Sequence, residues 1–282
     1  MRWSGITSGK GYIMLSSKLE KTIRHMRLTA LEMIYKSQSG HPGASMSAAD
    51  LLGVLYFDIM NVRPSEPDWQ ARDRFVLSKG HGAPILYAVL CEKGFFPAAE
   101  TEGFRKLDGL LQGHPTPSIP GVDAVSGSLG GGFSTAVGKA KALKIKHSGA
   151  TVFSLLGDGE TNEGIIWEAA MAASHLKLDN IVAIVDRNRY QNDGPCCDVL
   201  DTDDMADKWR SFGWDVSECD GHDIEALRTV LREQKQRRQG RPKALIAHTV
   251  KGYGVDYLTR DYLTHYRPPT RQEWEMITAE LG

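Results

Sequence analysis

The stretch SLLGDGETNEG, residues 154–164, ends an apolar run with Asp158 set between two glycines. A tight turn needs a glycine and at most one acidic side chain, yet Glu160 and Glu163 follow here as well. Gly159 lacks a Cβ, so a phosphate group has room to approach its backbone N–H. A carboxylate beside such a turn is a hard ligand suited to Mg²⁺ or Ca²⁺. The stretch therefore predicts a site for a metal and a phosphate at the end of a buried strand.

Strand-like and helical segments alternate on both sides of this turn. Strands are predicted over residues 74–78, 151–156, 181–186, 214–218 and 243–248. Helices are predicted between them over residues 83–93, 132–147, 163–176, 204–212 and 223–237. Apolar residues at helical spacing predict an earlier helix from Leu19 to Met33, and Ser47 with Asp50 predicts the capping box of a second one. This alternation indicates an α/β fold, a mostly parallel sheet with helices on both faces.

The composition is that of an ordinary globular protein, with 282 residues of which 41% are hydrophobic and 24% are charged. Lys and Arg number 34 against 35 Asp and Glu, so the charge balance gives no reason to expect binding to nucleic acid or to a membrane surface. No apolar stretch reaches membrane-spanning length, and the N-terminus lacks a signal-peptide pattern. The four cysteines lack metal-ligand spacing, which predicts free thiols in a reducing, cytoplasmic location.

The sequence contains no internal repeat, low-complexity tract or linker. We therefore expect one α/β domain over residues 15–282. Residues 1–14 fit no periodic pattern and are predicted to be a disordered extension, unless Met14 is the true start.

Polar, glycine-rich segments follow four of the five predicted strands. They are Lys79-Gly80-His81, Gly157-Asp158-Gly159, the pair Asp186 and Asn188, and Lys251-Gly252-Tyr253-Gly254. In an open α/β sheet, ligands bind beyond the carboxyl ends of the strands, so these segments should meet in one crevice. Asn188 lies about thirty residues after Asp158, one βαβ unit away, and is a candidate second oxygen ligand. A GDG turn alone is more often structural, but together with Asn188 and the strand-end histidines it favours a metal-bridged diphosphate site.

A GDG turn followed about thirty residues later by Asn is the thiamine diphosphate fingerprint, and this chain resembles the cofactor-diphosphate half of a transketolase. The resemblance extends from about Leu19 over nearly the whole chain. Its further motifs are SGHPGASMSAADLL (39–52), RFVLSKGHGAPILYAVL (74–90), LQGHP (111–115), SGSLGGGFSTAVGKA (126–140), DGHDIEAL (220–227) and IAHTVKGYG (246–254). Pyruvate-dehydrogenase-type enzymes share GDG but not GHPG, and deoxyxylulose-phosphate synthase usually has GHLG instead.

The resemblance implies roles for particular residues. The expected Mg²⁺ (or Ca²⁺) ligands are Asp158, Asn188 and the backbone carbonyl of Tyr190. The residues expected to contact thiamine diphosphate, or to lie beside its aminopyrimidine, are His81, Gly127, Ser128, Leu129, Gly159, Glu163, Asn188 and His265. The histidines expected to contact the ketose and to move protons at its oxygens are His41, His114 and His265. Imidazole suits this task because its ordinary pKa lies near neutral pH.

The activity implied is transfer of a two-carbon ketol unit from a ketose phosphate donor to an aldose phosphate acceptor, with thiamine diphosphate as the cofactor. A full transketolase has a second α/β domain that carries the pyrimidine pocket and the glutamate that activates the cofactor. The chain ends at Gly282 without such a domain. We therefore expect the N-terminal subunit of a heteromeric transketolase, completed by a separate C-terminal subunit in an α₂β₂ assembly.

Departures from the family pattern keep two alternatives open. Gly131 stands where Gln is usual, Tyr266 replaces a glycine after His265, and RNRYQNDGP (187–195) replaces a more apolar run. Tyr266 beside the substrate favours a specialised two-carbon (glycolaldehyde or glycolyl) transferase with an unusual sugar donor or an acyl-carrier acceptor. A non-catalytic scaffold or regulatory subunit is the alternative of another class, and the intact Asp158 and Asn188 argue against it.

Overall fold

Five parallel strands form one sheet, and the predicted site residues lie at its carboxyl edge. The computed structural model describes residues 10–202, 204–260 and 266–282. The strands are β1 (Arg74–Leu77), β2 (Val152–Gly157), β3 (Ile181–Arg187), β4 (Asp215–Asp220) and β5 (Lys243–His248). They lie in the order β1-β2-β3-β5-β4, and every neighbouring pair is parallel. All five occur where the sequence predicted them, which confirms the α/β fold.

Successive residues of each strand enter two different hydrophobic cores, one on each face of the sheet. In β3, Val182 and Ile184 join the core on one face, whereas Ala183 and Val185 join the core on the other. Neighbouring strands are in register, so Leu155 of β2 lies beside Ile184 of β3. A sheet buried on both faces needs nearly continuous apolar strands, which explains the runs in the sequence.

Helices cover both faces of the sheet. Their bounds are α1 (Lys10–Ser37), α2 (Pro42–Ser47), α3 (Ala49–Val54), α4 (Ala83–Lys93), α5 (Gly131–Ile145), α6 (Gly164–His175), α7 (Cys196–Val199), α8 (Met205–Ser211), α9 (Ile224–Gln236), α10 (Asp256–Arg260) and α11 (Arg271–Leu281). Apolar side chains of α1, α3, α4 and α9 form one core, and those of α5, α6 and α8 form the other. The five helices predicted between strands are confirmed, whereas the sequence analysis missed α11.

The predicted capping box at Ser47 was wrong. The helix α2 begins at Pro42, directly after His41, and Ser47 is its last residue. The Ser47 hydroxyl donates a hydrogen bond to the Asp186 carboxylate at 2.7 Å, and Asp50 forms an ion pair with Arg27. Both side chains therefore serve contacts between distant segments, which a local sequence pattern cannot reveal.

The N-terminal helix α1 begins at Lys10, within the stretch 1–14 that was expected to be an extension. Residues 1–9 lie outside the described ranges. None of the helices that the structure describes combines the length and hydrophobicity needed to cross a membrane. All four cysteines are free thiols.

Candidate functional site

A cavity of about 280 Å³ opens at the carboxyl edge of the sheet. The predicted site residues that line it are His41, His81, His114, Gly127, Leu129, Asp158, Gly159, Asn188 and Tyr190. Ser128 and Glu163 are exposed and are not part of this lining. His265 lies outside the described residues. Segments far apart in sequence thus meet in one place because parallel strands end at the same edge.

Asp158 directly follows β2 and is buried, with only 1% of its surface exposed. Its carboxylate oxygens accept hydrogen bonds from the backbone N–H groups of Gly159 and Arg189, at 2.8 and 2.6 Å. Burial, and then the charge of Asp186, raises the pKa of Asp158 to about 6. The ionised carboxylate is therefore unfavourable by itself, and a bound cation would stabilise it.

Asn188 and Tyr190 follow β3 and line the cavity together with Asp158. The side-chain oxygen of Asn188 accepts a hydrogen bond from the Tyr190 backbone N–H at 3.0 Å. A carboxylate, an amide oxygen and a backbone carbonyl form a hard donor set that suits Mg²⁺ or Ca²⁺. No cluster of three or more His, Cys, Asp or Glu among the described residues could hold a metal by itself. The remaining ligands would have to come from water or a bound oxyanion.

Two glycines of the cavity wall have different reasons to be glycine. The Gly159 N–H already donates to Asp158, and a Cβ on Gly159 would lie 2.7 Å from Cγ of Gln191. Close packing of the 187–195 loop therefore requires glycine at this position. A Cβ on Gly127 would meet no heavy atom within 4 Å. The space beside Gly127 is open to a ligand, as expected of a segment that lies along a cofactor.

Lys79, for which the sequence analysis proposed no role, lines the cavity and is almost fully buried. Its ammonium group donates to the Asp186 carboxylate at 2.5 Å and to the Ala44 carbonyl at 2.9 Å. Asp186 also accepts hydrogen bonds from the hydroxyls of Ser47 and Thr249. This buried ion pair joins the ends of β1, β3 and β5 to α2, and it fixes the wall behind the cavity.

Lys251 is the second cavity lysine without a predicted role. Its ammonium nitrogen lies 5.1 Å from the centre of the Tyr190 ring. The segment that carries it is tied to the GHPG segment, because the Gly252 N–H donates to the Gly43 carbonyl at 3.1 Å. Its position in KGYG, directly after a strand, was the signal that could have identified it.

Glu160 fixes the turn that precedes α5. One of its carboxylate oxygens accepts hydrogen bonds from the Ser78 hydroxyl at 2.5 Å and the Gly130 N–H at 2.8 Å. The other oxygen accepts from the Gly157 N–H at 3.0 Å. Burial raises the pKa of Glu160, and these hydrogen bonds oppose that shift. The side chain thus joins the ends of β1 and β2 to the loop that carries Gly127.

Three imidazoles lie on the wall of the cavity formed by the glycine-rich loops. The rings of His41 and His81 meet edge to face, with their centres 5.2 Å apart. Burial, followed by the charges of Arg105, His114 and Lys79, lowers the pKa of His41 to about 4. Burial and then the charge of Arg105 also lower the pKa of His114. Both imidazoles are therefore neutral at pH 7, the form that can accept a proton from a hydroxyl group.

His222 of DGHD is not part of this cavity. Its Nδ1 lies 2.7 Å from the Asp50 carboxylate, and its Nε2 accepts a hydrogen bond from the Val250 N–H at 2.9 Å. The imidazole therefore joins the β4–α9 loop to α3 and to the segment that carries Lys251. Its environment agrees with a structural role.

The residues present fit a metal-bound diphosphate. A single buried carboxylate with a raised pKa faces the cavity together with two neutral oxygen donors, while two lysines and three histidines surround it. An oxyanion that brings both negative charge and metal ligands complements this arrangement, because the protein supplies too few hard ligands to complete a metal site alone.

Comparison with known proteins identifies the family. Residues 18–282 match the family "Transketolase, thiamine diphosphate binding domain". One of the two subunits of the apulose-4-phosphate transketolase from Phocaeicola vulgatus is 41% identical over 264 residues, which are 94% of each chain. A 6-deoxy-6-sulfo-D-fructose transketolase subunit of Clostridium sp. (strain MSTE9) is 40% identical, over 91% of this chain and 93% of the relative.

Solved structures agree with this assignment. The transketolase of Leishmania mexicana superimposes with a TM-score of 0.87 at 31% identity, over 94% of this chain. The chain spans 41% of that transketolase, but nearly the full length of the two relatives named before it. The protein thus belongs to the transketolase family of transferases and corresponds to its thiamine diphosphate-binding half.

Proposed function

We propose that this chain is the cofactor-diphosphate subunit of a two-subunit transketolase, which transfers a two-carbon ketol unit from a ketose phosphate donor to an aldose phosphate acceptor. The observation that supports this most directly is the cavity that combines buried Asp158 and the oxygen donors after β3 with the imidazoles of His41, His81 and His114. A retired site would have no physical reason to retain a buried carboxylate with a raised pKa.

Asp158, Asn188 and the Tyr190 carbonyl would hold the divalent metal, Mg²⁺ or Ca²⁺. Lys251 and His81 line the same cavity and would contact the diphosphate as cationic or hydrogen-bonding groups. His265, as the family resemblance implies, would join them. When bound, thiamine diphosphate supplies the electron sink for breaking a carbon–carbon bond beside a carbonyl.

His41 and His114 would handle the protons of the sugar. The lowered pKa of each imidazole keeps it neutral at pH 7, so it can accept a proton from a sugar hydroxyl as the carbon–carbon bond breaks. The resulting imidazolium can return that proton to an oxygen of the acceptor. The glycine-rich loops hold the two rings at the cavity, and Arg105 beside them disfavours their charged forms.

A partner subunit would complete the site. Two relatives that this chain matches along nearly their full length are named as transketolase subunits, and the chain spans only four-tenths of longer transketolases. We infer that a C-terminal subunit supplies the pyrimidine pocket and its catalytic glutamate, that the assembly is α₂β₂, and that Glu163 lies at the subunit contact. The four free thiols favour a reducing compartment such as the cytoplasm.

The donor need not be a common sugar phosphate. The two relatives are named for apulose 4-phosphate and for 6-deoxy-6-sulfo-D-fructose, which are unusual sugars with an anionic group. Their names favour a specialised two-carbon transferase as the second candidate. Trials with purified complex and a panel of ketoses and acceptors would separate the two candidates.

The test is to purify the tagged chain with Mg²⁺ and thiamine diphosphate, to identify its partner by mass, and to assay ketol transfer by the complex. The Asp158→Ala variant should assemble but lose metal-dependent cofactor binding and activity. Asp193→Asn, at an exposed carboxylate of the adjacent loop, is the matched control and should retain both. Full activity of the Asp158→Ala complex would contradict the proposal and favour a scaffold role.

A further inference from the structure

Arg105 is held in an unusual position beside the cavity. Its backbone has φ +58°, in the left-handed region that favours glycine, and its N–H donates to the Leu111 carbonyl at 2.8 Å. The guanidinium packs on Gly113, where a Cβ would lie 2.7 Å from Nη2 of Arg105 and 2.8 Å from Cζ. The loop from 105 to 114 therefore places this cation next to His114, which lines the cavity.

The charge of Arg105 is not neutralised by a carboxylate within residues 18–202, 204–260 and 266–282. Its guanidinium lies 5.8 Å from the centre of the neighbouring Phe104 ring. Other arginines of the chain, such as Arg72 and Arg228, form ion pairs with Asp123 and Asp58. Arg105 is also solvent-exposed, so it can reach a ligand that enters from solution.

Two histidines of the candidate site sense this cation. Among charged groups, Arg105 has the largest effect in lowering the pKa of His41, and it also lowers that of His114. A guanidinium that acts on both rings lies near the mouth of the cavity that they line. Its planar set of N–H donors matches two oxygens of a phosphate or sulfonate group.

We propose that Arg105 binds the anionic group of the sugar substrate, a phosphate or a sulfonate, at the mouth of the cavity beside His41 and His114. This inference rests on the proposed function and adds to it a charge requirement for the substrate. The contact would come from this chain, in addition to any that the partner subunit supplies. Arg105 would thereby discriminate between charged and neutral sugars.

The experiment compares wild-type complex with the Arg105→Gln and Arg105→Lys variants on phosphorylated, sulfonated and neutral forms of the same sugar. Arg105→Gln should raise KM for the anionic sugar relative to the neutral one by about tenfold to a hundredfold, because it removes charge-assisted hydrogen bonds. Arg105→Lys should recover part of the discrimination. A larger effect on the phosphorylated or on the sulfonated sugar identifies the natural group. Lys106→Gln, at the adjacent exposed cation, is the matched control and should leave the ratio as in the wild type.

Equal losses on anionic and neutral sugars in Arg105→Gln would overturn the inference, as would weaker assembly of the complex without a change in sugar preference. If the wild-type complex transfers no ketol unit from any sugar, the proposed function fails. Calorimetric titration of the wild-type and Arg105→Gln complexes with inorganic phosphate then still decides whether Arg105 binds an oxyanion. Identical affinities would refute the anion site independently of catalysis.

Discussion

Replacing Asp158 by Asn tests the electrostatics of the candidate metal site without any ligand present. The pKa of Asp158 is about 6 in the folded chain, against an ordinary value of 3.8. The folded state therefore binds this proton more tightly than the unfolded state, and the metal-free chain loses stability as the pH rises from about 4 through about 6. Above that range the loss is complete and constant.

The magnitude follows from the size of the pKa shift. One pKa unit corresponds to about 1.4 kcal/mol, so the ionised carboxylate destabilises the metal-free fold by about 3 kcal/mol at pH 8 and by about half of that at pH 5. An Asn side chain at this position cannot ionise. It can accept only one of the hydrogen bonds from the Gly159 and Arg189 N–H groups, a loss of about 1–3 kcal/mol that does not depend on pH.

The change with pH therefore isolates the charge. In urea unfolding with a metal chelator present, the stability of Asp158→Asn relative to wild type should be about 1.5 kcal/mol more favourable at pH 8 than at pH 5. Asp193→Asn, at an exposed carboxylate, should give no such dependence. A relative stability of Asp158→Asn that is the same at both pH values would refute the reasoning. It would mean that burial and Asp186 do not raise the pKa of this carboxyl.

Two further predictions concern the loops around the cavity. Gly159→Ala places a Cβ 2.7 Å from Cγ of Gln191, so calorimetry on the assembled complex should find weaker thiamine diphosphate binding with Mg²⁺, and adding Gln191→Ala should restore it; a double variant no better than the single one would exclude the steric cause. Glu160→Gln leaves the Gly157 N–H opposite an amide NH₂ and should lower the free energy of unfolding by about 1–3 kcal/mol in denaturant titrations. An unchanged unfolding midpoint in that variant would show that the carboxylate network does not stabilise the turn.

The strands and the strand-following helices could be predicted because their signals are local. A strand buried on both faces must be apolar throughout, as in IVAIV (181–185), and its polar ends mark the carboxyl edge of the sheet. Parallel topology then brings those ends together, which is why residues as distant as His41 and Asn188 could be assigned to one crevice.

What the sequence could not reveal depends on contacts between distant segments. The Lys79–Asp186 ion pair joins residues 107 positions apart, and neither side chain has a local pattern that announces its partner. The same contact explains the misassigned helix start, because Ser47 donates its hydroxyl to Asp186 instead of capping a helix. Arg105 was missed because its importance arises from the fold of one loop against Gly113.

The arrangement of the buried charges explains why this site should bind a cation together with an anion. Asp158 and Asp186 lie close enough for each charge to oppose the other, and the hydrogen bonds of Lys79 are directed to Asp186 rather than to Asp158. Asp158 is therefore the buried carboxylate whose charge remains to be compensated, and a divalent ion compensates it fully only by adding positive charge to a wall that already carries lysines and histidines. A diphosphate balances that excess and supplies the missing oxygen ligands at the same time. Metal and diphosphate should consequently bind cooperatively, and each alone should bind to this chain far more weakly than the pair.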